Sequence, residues 1–245
     1  MMLPLLMALS QDPLALPRTD ANSVKAHQRL VVKAKTGRID LYFLGDSITR
    51  RWGTADPMYG HFLANWKSNF FGWNAGNFGW GGDSTANILW RIENGELDGV
   101  NPKVIVFLGG TNDVSGGANP EGIIRRINRI KEVCQVKAPQ ATLILMAIFP
   151  RNDNLAHLSI IAEANRGIAK LADGKKIRFL NVNDMLADQA NTLRPGMMDA
   201  DKLHMALPGY QVWADGLKPI LRELLGKPAT VDLAPPPTLN PELEK

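Results

Sequence analysis

Four short blocks of this 245-residue chain carry residue types that together could run acyl transfer: Gly45-Asp46-Ser47-Ile48, Gly81-Gly82-Asp83, Gly110-Thr111-Asn112-Asp113 and Asp201-Lys202-Leu203-His204. A serine hydroxyl attacks an ester carbonyl when a base takes its proton, a carboxylate orients that base, and donors hold the oxyanion that forms. Ser47 is the candidate nucleophile and His204 the candidate base. Of the histidines at 27, 61, 157 and 204, His204 alone follows an aspartate, Asp201, by three positions. That spacing puts both side chains on one side of a tight helical turn, whereas Asp199, two residues from Asp201, would face away. Gly82 can bring a backbone N–H close to a ligand, and the Asn112 amide can donate to an oxyanion.

Each block also has a plainer reading. Ser47 and Asn112 could cap the helices they open. Gly81-Gly82 could be only a flexible turn, and Asp201 with His204 only a surface pair.

The elements that must position these residues can be read from apolar runs. Strands are predicted at Ile39–Leu44, about Phe71–Ala75, Val104–Leu108, Leu143–Ile148 and Ile177–Leu180. Helical patterns lie around them at Asn22–Ala34, Pro57–Trp66, Thr85–Ile92, Pro120–Lys137, Leu155–Ala172 and Pro208–Leu225, the first capped by Asn22 or Ser23 with Gly37 beyond its end. Alternating strands and helices imply an α/β chain with a parallel sheet covered on both faces. Ligands of such sheets bind outside the carboxyl ends of the strands. Ser47, Gly82 and Asn112 each follow a predicted strand, so three blocks converge on one edge. The fourth precedes the last helix.

Composition narrows the class further. Apolar residues make up 45% and charged residues 21%, ordinary for a globular protein. The net charge of +4 is dispersed, and its densest run, Arg125-Arg126 through Lys131, is expected on the polar face of a helix, so no nucleic-acid partner is expected. The single cysteine, Cys134, excludes an internal disulfide and falls on an apolar stripe with Ile123, Ile127 and Ile130. No metal, phosphate or dinucleotide motif is present, so no metal or cofactor is expected. The N-terminal MMLPLLMALS is too short to span a bilayer; it reads as a clipped export signal or an N-terminal arm within residues 1–21. Residues 22–226 read as one catalytic domain and 227–245 as a proline-rich tail, disordered or loosely draped. Export would place the protein outside the cell or in the periplasm; without it, the protein is cytoplasmic.

With the blocks in view, the chain resembles the SGNH (GDSL-type) hydrolases, named for one residue of each block: here Ser47, Gly82, Asn112 and His204. Within them it is most similar to the platelet-activating-factor acetylhydrolase catalytic subunits and their bacterial relatives. The likeness rests on Leu89-Trp90-Arg91-Ile92-Glu93-Asn94-Gly95-Glu96-Leu97, on Pro102-Lys103-Val104-Ile105-Val106, on Asn77-Phe78-Gly79 and on His27-Gln28-Arg29. It covers residues 24–225; the first block ends in Ile48 where the family name has leucine. The resemblance implies a flavodoxin-like three-layer α/β/α sandwich with a five-stranded parallel sheet. It also implies a Ser47–His204–Asp201 triad and an oxyanion hole of the Ser47 and Gly82 N–H groups with the Asn112 amide.

Ile48, Thr111 and Leu203 each neighbour one of these residues and predict a tight acyl pocket that favours acetyl. Trp52 and Trp80 lie close to Ser47 and Gly82 and could stack on sugar rings. The expected substrate is thus a small-molecule or oligosaccharide ester, such as acetylated xylan, with a phospholipid or aryl acetate as the alternative. A catalytically silent binding protein of the same fold is the rival class. A homo-oligomer is compatible with the sequence.

Overall fold

The computed structural model describes residues 14–244; the apolar run at the N-terminus, read as a clipped export signal or an arm, lies outside the described residues. In chain order, α1 (Ala21–Lys33), β1 (Leu41–Gly45), α2 (Ser47–Trp52), α3 (Gly60–Phe70), β2 (Ala75–Gly79) and α4 (Thr85–Arg91) form the first half. Then come β3 (Val104–Leu108), α5 (Thr111–Ser115), α6 (Pro120–Lys137), β4 (Thr142–Met146), α7 (His157–Ala169), β5 (Ile177–Leu180), α8 (Asn183–Leu186) and α9 (Leu207–Leu225).

All strand pairs are parallel, in the order β2-β1-β3-β4-β5. That is the flavodoxin-like order, whose switch point lies between β1 and β3. Side chains alternate along β1: Tyr42 and Leu44 enter a core shared with α1, α4, α6 and α7, while Leu41 and Phe43 enter one shared with α2, α3 and α9. The second core is aromatic, with Trp52, Trp66, Phe70, Tyr210 and Trp213 clustered about Phe43. Cys134 is buried in the first, where burial pushes its thiol up to about 12.

Several expectations shift. The second strand is Ala75–Gly79, not Phe71–Ala75. Phe70 closes α3 in the core, Phe71 is exposed, and a turn with Gly72 (φ +85°) and Asn74 (φ +49°) intervenes. The strand itself reads as turn residues because α2 packs against it: a Cβ on Gly79 would lie 2.4 Å from the Arg50 nitrogen. Helix α1 is capped by Asp20 rather than Asn22 or Ser23; the Asp20 carboxylate accepts from the Ser23 N–H at 2.9 Å. Gly37 does lie beyond its end, with φ +66°.

Arg126 departs from the solvated-face reading of α6, whereas Arg125 and Arg129 are exposed as expected. Arg126 is 5% exposed and pairs with Asp113 at 3.0 Å. Of the two expectations for the tail, disordered or loosely draped, its hydrogen bonds fit the second. The Ala229 N–H donates to the Gly72 carbonyl, the Arg38 N–H to that of Leu233, and the Ala55 N–H to that of Thr238, which straps the tail along the β2 edge.

Candidate active site

Gly45 ends β1 where no side chain fits, since a Cβ there would meet Thr49 Oγ1 at 2.2 Å and the Leu108 carbonyl at 2.5 Å. Asp46 caps α2, its carboxylate accepting from the Ile48 N–H at 2.9 Å. Capping is therefore done by Asp46, and the Ser47 hydroxyl is free for another partner. That partner is His204: Oγ lies 2.9 Å from Nε2.

On the far side of the ring, His204 Nδ1 lies 2.6 Å from Asp201 Oδ2. A carboxylate at Nδ1 calls for a proton there, which leaves the Nε2 lone pair to accept from the serine. The Asp201–His204 segment is an aspartate-anchored turn rather than a helical one. Asp201 Oδ1 accepts from the N–H groups of Leu203 (3.0 Å) and His204 (2.8 Å), and Lys202 takes φ +56°. Partial burial would raise the Asp201 pKa, but hydrogen bonds from the His204 backbone and ring and from Leu203 outweigh it and hold the group at about 2. Burial lowers the His204 pKa; its hydrogen bond to Asp201 opposes that, and Arg51 pushes it further down. Arg51 sits 3.7 Å from Asp199 and 3.9 Å from Asp201.

Gly82 follows β2 with φ +78° and is exposed. Asn112 is the second residue of α5 and makes no capping bond to it. Its amide instead donates to the Asp83 carbonyl at 2.9 Å, tying the β3 loop to the one that carries Gly82. An amide has two N–H donors, so one remains for a ligand. A serine, an imidazole, a carboxylate and amide donors at one sheet edge can together do nucleophilic acyl transfer.

Charged residues under the site were not legible in the sequence. The Arg91 guanidinium pairs with Asp83 at 2.7 Å and donates to the carbonyls of Gly45 and Phe78 at 3.1 Å each, joining the ends of β1 and β2. It also pairs with buried Glu96. Asp113 accepts from the Thr85 N–H and from Arg126. Burial pushes Asp46 up to about 7 and Asp83 up to about 6, the latter held back by Arg91. One signal was available: an arginine on the apolar Ile123–Ile127–Ile130 face of a helix implies a buried partner.

The expected substrate-pocket residues divide. Trp52 is wholly buried between Tyr210 and Trp213, its Nε1–H donating to Asn65, so it presents no face to a sugar. It is core. Trp80 is 6% exposed; its Nε1–H donates to Ser23 Oγ and the Arg50 guanidinium lies 4.7 Å from its ring centre. Ile48 and Thr111 are buried and Leu203 is half-buried. Among the described residues, no group of three or more His, Cys, Asp or Glu is arranged to hold a metal ion, and no helix is long and apolar enough to cross a membrane.

Residues 43–212 match the GDSL-like Lipase/Acylhydrolase family. The bovine platelet-activating factor acetylhydrolase IB subunit alpha1 is 30% identical over 227 residues, covering 91% of this chain and 92% of that protein. Among solved structures, a GDSL-like lipase from Bacteroides thetaiotaomicron superposes with a TM-score of 0.65 at 20% identity, over 80% of this chain and 97% of that one. A carbohydrate esterase family 3 protein from Talaromyces cellulolyticus does so with a TM-score of 0.57 at 19% identity, over 76% and 98%. These two likenesses bear on the fold. The chain belongs to the GDSL-like lipase/acylhydrolase family and is a carboxylic ester hydrolase.

Proposed function

We propose that this hydrolase removes short acyl groups, acetyl foremost, through a Ser47 acyl-enzyme. His204 takes the serine proton and returns it to the leaving alcohol, and Asp201 orients the ring and stabilises its cationic form. The tetrahedral oxyanion is held by the N–H groups of Ser47 and Gly82 and the Asn112 amide. Water then repeats the sequence and releases the acid. The observation that carries this reading is the chain of contacts Ser47 Oγ to His204 Nε2 at 2.9 Å and His204 Nδ1 to Asp201 Oδ2 at 2.6 Å.

The preference for acetyl rests on buried Ile48 and Thr111 and half-buried Leu203, each next in sequence to a residue of the proposed machinery. For the alcohol half we favour a carbohydrate, such as acetylated xylan or an oligosaccharide. Trp80 and Trp90 line one cavity of about 210 Å3 together with Arg18, His27 and Gln28. Arg18 joins this cavity to the oxyanion loop, its guanidinium donating to the Gly81 carbonyl at 3.2 Å. Aromatic faces beside amide and cationic donors suit a sugar ring. The second reading, an acetyl ester like platelet-activating factor, is favoured by the names of the relatives at 30% identity. Export, if the N-terminal apolar run is cleaved, would place the reaction in the periplasm or outside the cell.

Turnover of p-nitrophenyl acetate should fall by several orders of magnitude in a folded Ser47→Ala variant. Wild-type turnover there would end the proposal. A panel of acetylated xylo-oligosaccharides, platelet-activating factor and p-nitrophenyl esters of rising chain length then separates the substrates.

A further inference from the structure

A cavity of about 270 Å3 lies away from Ser47, at the β2 edge, between α1, α3 and the C-terminal strap. Its walls are Trp66, Phe70 and Phe71 on one side and Pro235, Pro236 and Pro237 on the other. Set among them is a charged side chain, Lys33, 7% exposed. Its Nζ donates to the Asn77 carbonyl at 2.9 Å and to Thr238 Oγ1 at 3.1 Å. Both acceptors are neutral, and among the described residues no carboxylate forms an ion pair with it. An ammonium has three donors and these bonds use two of them; the Phe78 ring centre lies 5.4 Å from Nζ.

A buried cation that no carboxylate contacts directly is costly, and proteins seldom keep one without a use. Asp232 also lines the cavity, but its oxygens accept from the Gly72 and Ala234 N–H groups. Lys67, exposed at the cavity, adds a second positive charge. The site is thus apolar and aromatic around its walls, with two ammonium groups and one carboxylate in its lining.

We infer that this cavity binds a small amphipathic carboxylate, its ring or chain held between the aromatic and proline walls and its carboxylate on the Lys33 ammonium. A volume equal to about nine waters, at about 30 Å3 each, suits a benzoate-sized acid. Burial pushes the Lys33 pKa down to about 7, opposed by the charge of Glu96. A bound anion would restore the charged form. Binding should therefore weaken as pH rises above about 7; Asp232 and Lys67 are the other charged groups lining the cavity, and buried Glu96 acts on Lys33 from outside it.

Calorimetric titration of the full chain with benzoate and with benzamide, its neutral isostere, tests this. To keep the catalytic centre out of the measurement, Ser47 is first blocked with an organophosphonate. Saturable benzoate binding is expected, with benzamide weaker by roughly ten- to a hundred-fold, the share of one charge-assisted hydrogen bond. Lys33→Met should abolish the preference for the anion. Lys67→Glu, at an exposed position that should fold normally, should weaken benzoate several-fold and leave benzamide unchanged. Equal binding of the two ligands, unchanged benzoate affinity in Lys67→Glu, loss of binding on blocking Ser47, or no saturation below about 10 mM would each overturn the inference.

Discussion

The Arg151 guanidinium donates to the Thr111 carbonyl at 3.0 Å and to Thr111 Oγ1 at 2.9 Å, and it does so from a site only 3% exposed. Thr111 precedes Asn112, so Arg151 holds the start of α5. The next residue, Asn152, donates its N–H to the Lys202 carbonyl at 3.0 Å. Two adjacent residues after β4 thus tie the turn that carries His204 to the helix that carries Asn112. Arg151→Met should lower kcat about ten-fold with little change in KM, and cost about 2–3 kcal/mol of stability from unpaired buried acceptors. A destabilised variant with wild-type kcat would show that Arg151 only supports the fold.

Asn112 separates two roles in one substitution. As an oxyanion donor, its loss in Asn112→Ala should cost roughly 10²–10³ in kcat, about 3–4 kcal/mol of transition-state stabilisation, with KM nearly unchanged. Its bond to the Asp83 carbonyl predicts a further stability loss of about 1 kcal/mol. Measuring kcat and the thermal midpoint together distinguishes the two, and a less stable variant of full activity would remove Asn112 from the oxyanion hole.

Protonated His204 cannot accept the serine proton, so activity should fall with falling pH along a limb set by its pKa. Burial lowers that pKa, so the limb should lie below the ordinary histidine value of 6.5. Arg51 contributes to the lowering. Its removal in Arg51→Gln favours the imidazolium and should move the limb to higher pH, reducing activity at pH 6 more than at pH 8. Asp201→Asn should also impair kcat, though less than His204→Ala, which should match Ser47→Ala because serine and base act as one unit. A pH–rate profile of Arg51→Gln that overlays the wild type would refute the coupling.

Asp46 predicts a stability effect with a definite sign. Its Oδ2 is buried without a partner, and its pKa is raised to about 7. The folded state therefore holds a proton that the unfolded carboxyl, at about 3.9, has lost. Stability from this group is fully present below about pH 4 and declines as pH rises towards 7. Asp46→Asn keeps an oxygen for the Ile48 N–H and removes the buried charge. It should be nearly equal to the wild type below about pH 4 and more stable by roughly 3–4 kcal/mol at pH 8. An equal difference at pH 4 and pH 8 would rule out titration as its cause.

What the chain determines by local pattern is legible without coordinates. The runs at β1, β3 and β4 are buried throughout and largely apolar, so they read as strands of a covered parallel sheet. The block containing Ser47 follows one of them, and the Asp201–His204 spacing marks the pair through a local turn. What only the tertiary structure decides is where a residue's partner comes from elsewhere in the chain. Strand β2, Ala-Gly-Asn-Phe-Gly, has little strand character of its own and is held in the sheet by β1 and by the close approach of α2. Arg126 reads as a surface charge until Asp113 faces it, and Trp52 as a sugar platform until Tyr210 and Trp213 enclose it. The proline tail reads as disordered or loosely draped, and it is draped because Gly72, Asn74 and Asp56 accept or donate along its length. Local pattern encodes which backbone shape a segment can take. Burial and pairing depend on side chains distant in sequence, so they emerge only when the sheet brings those segments together.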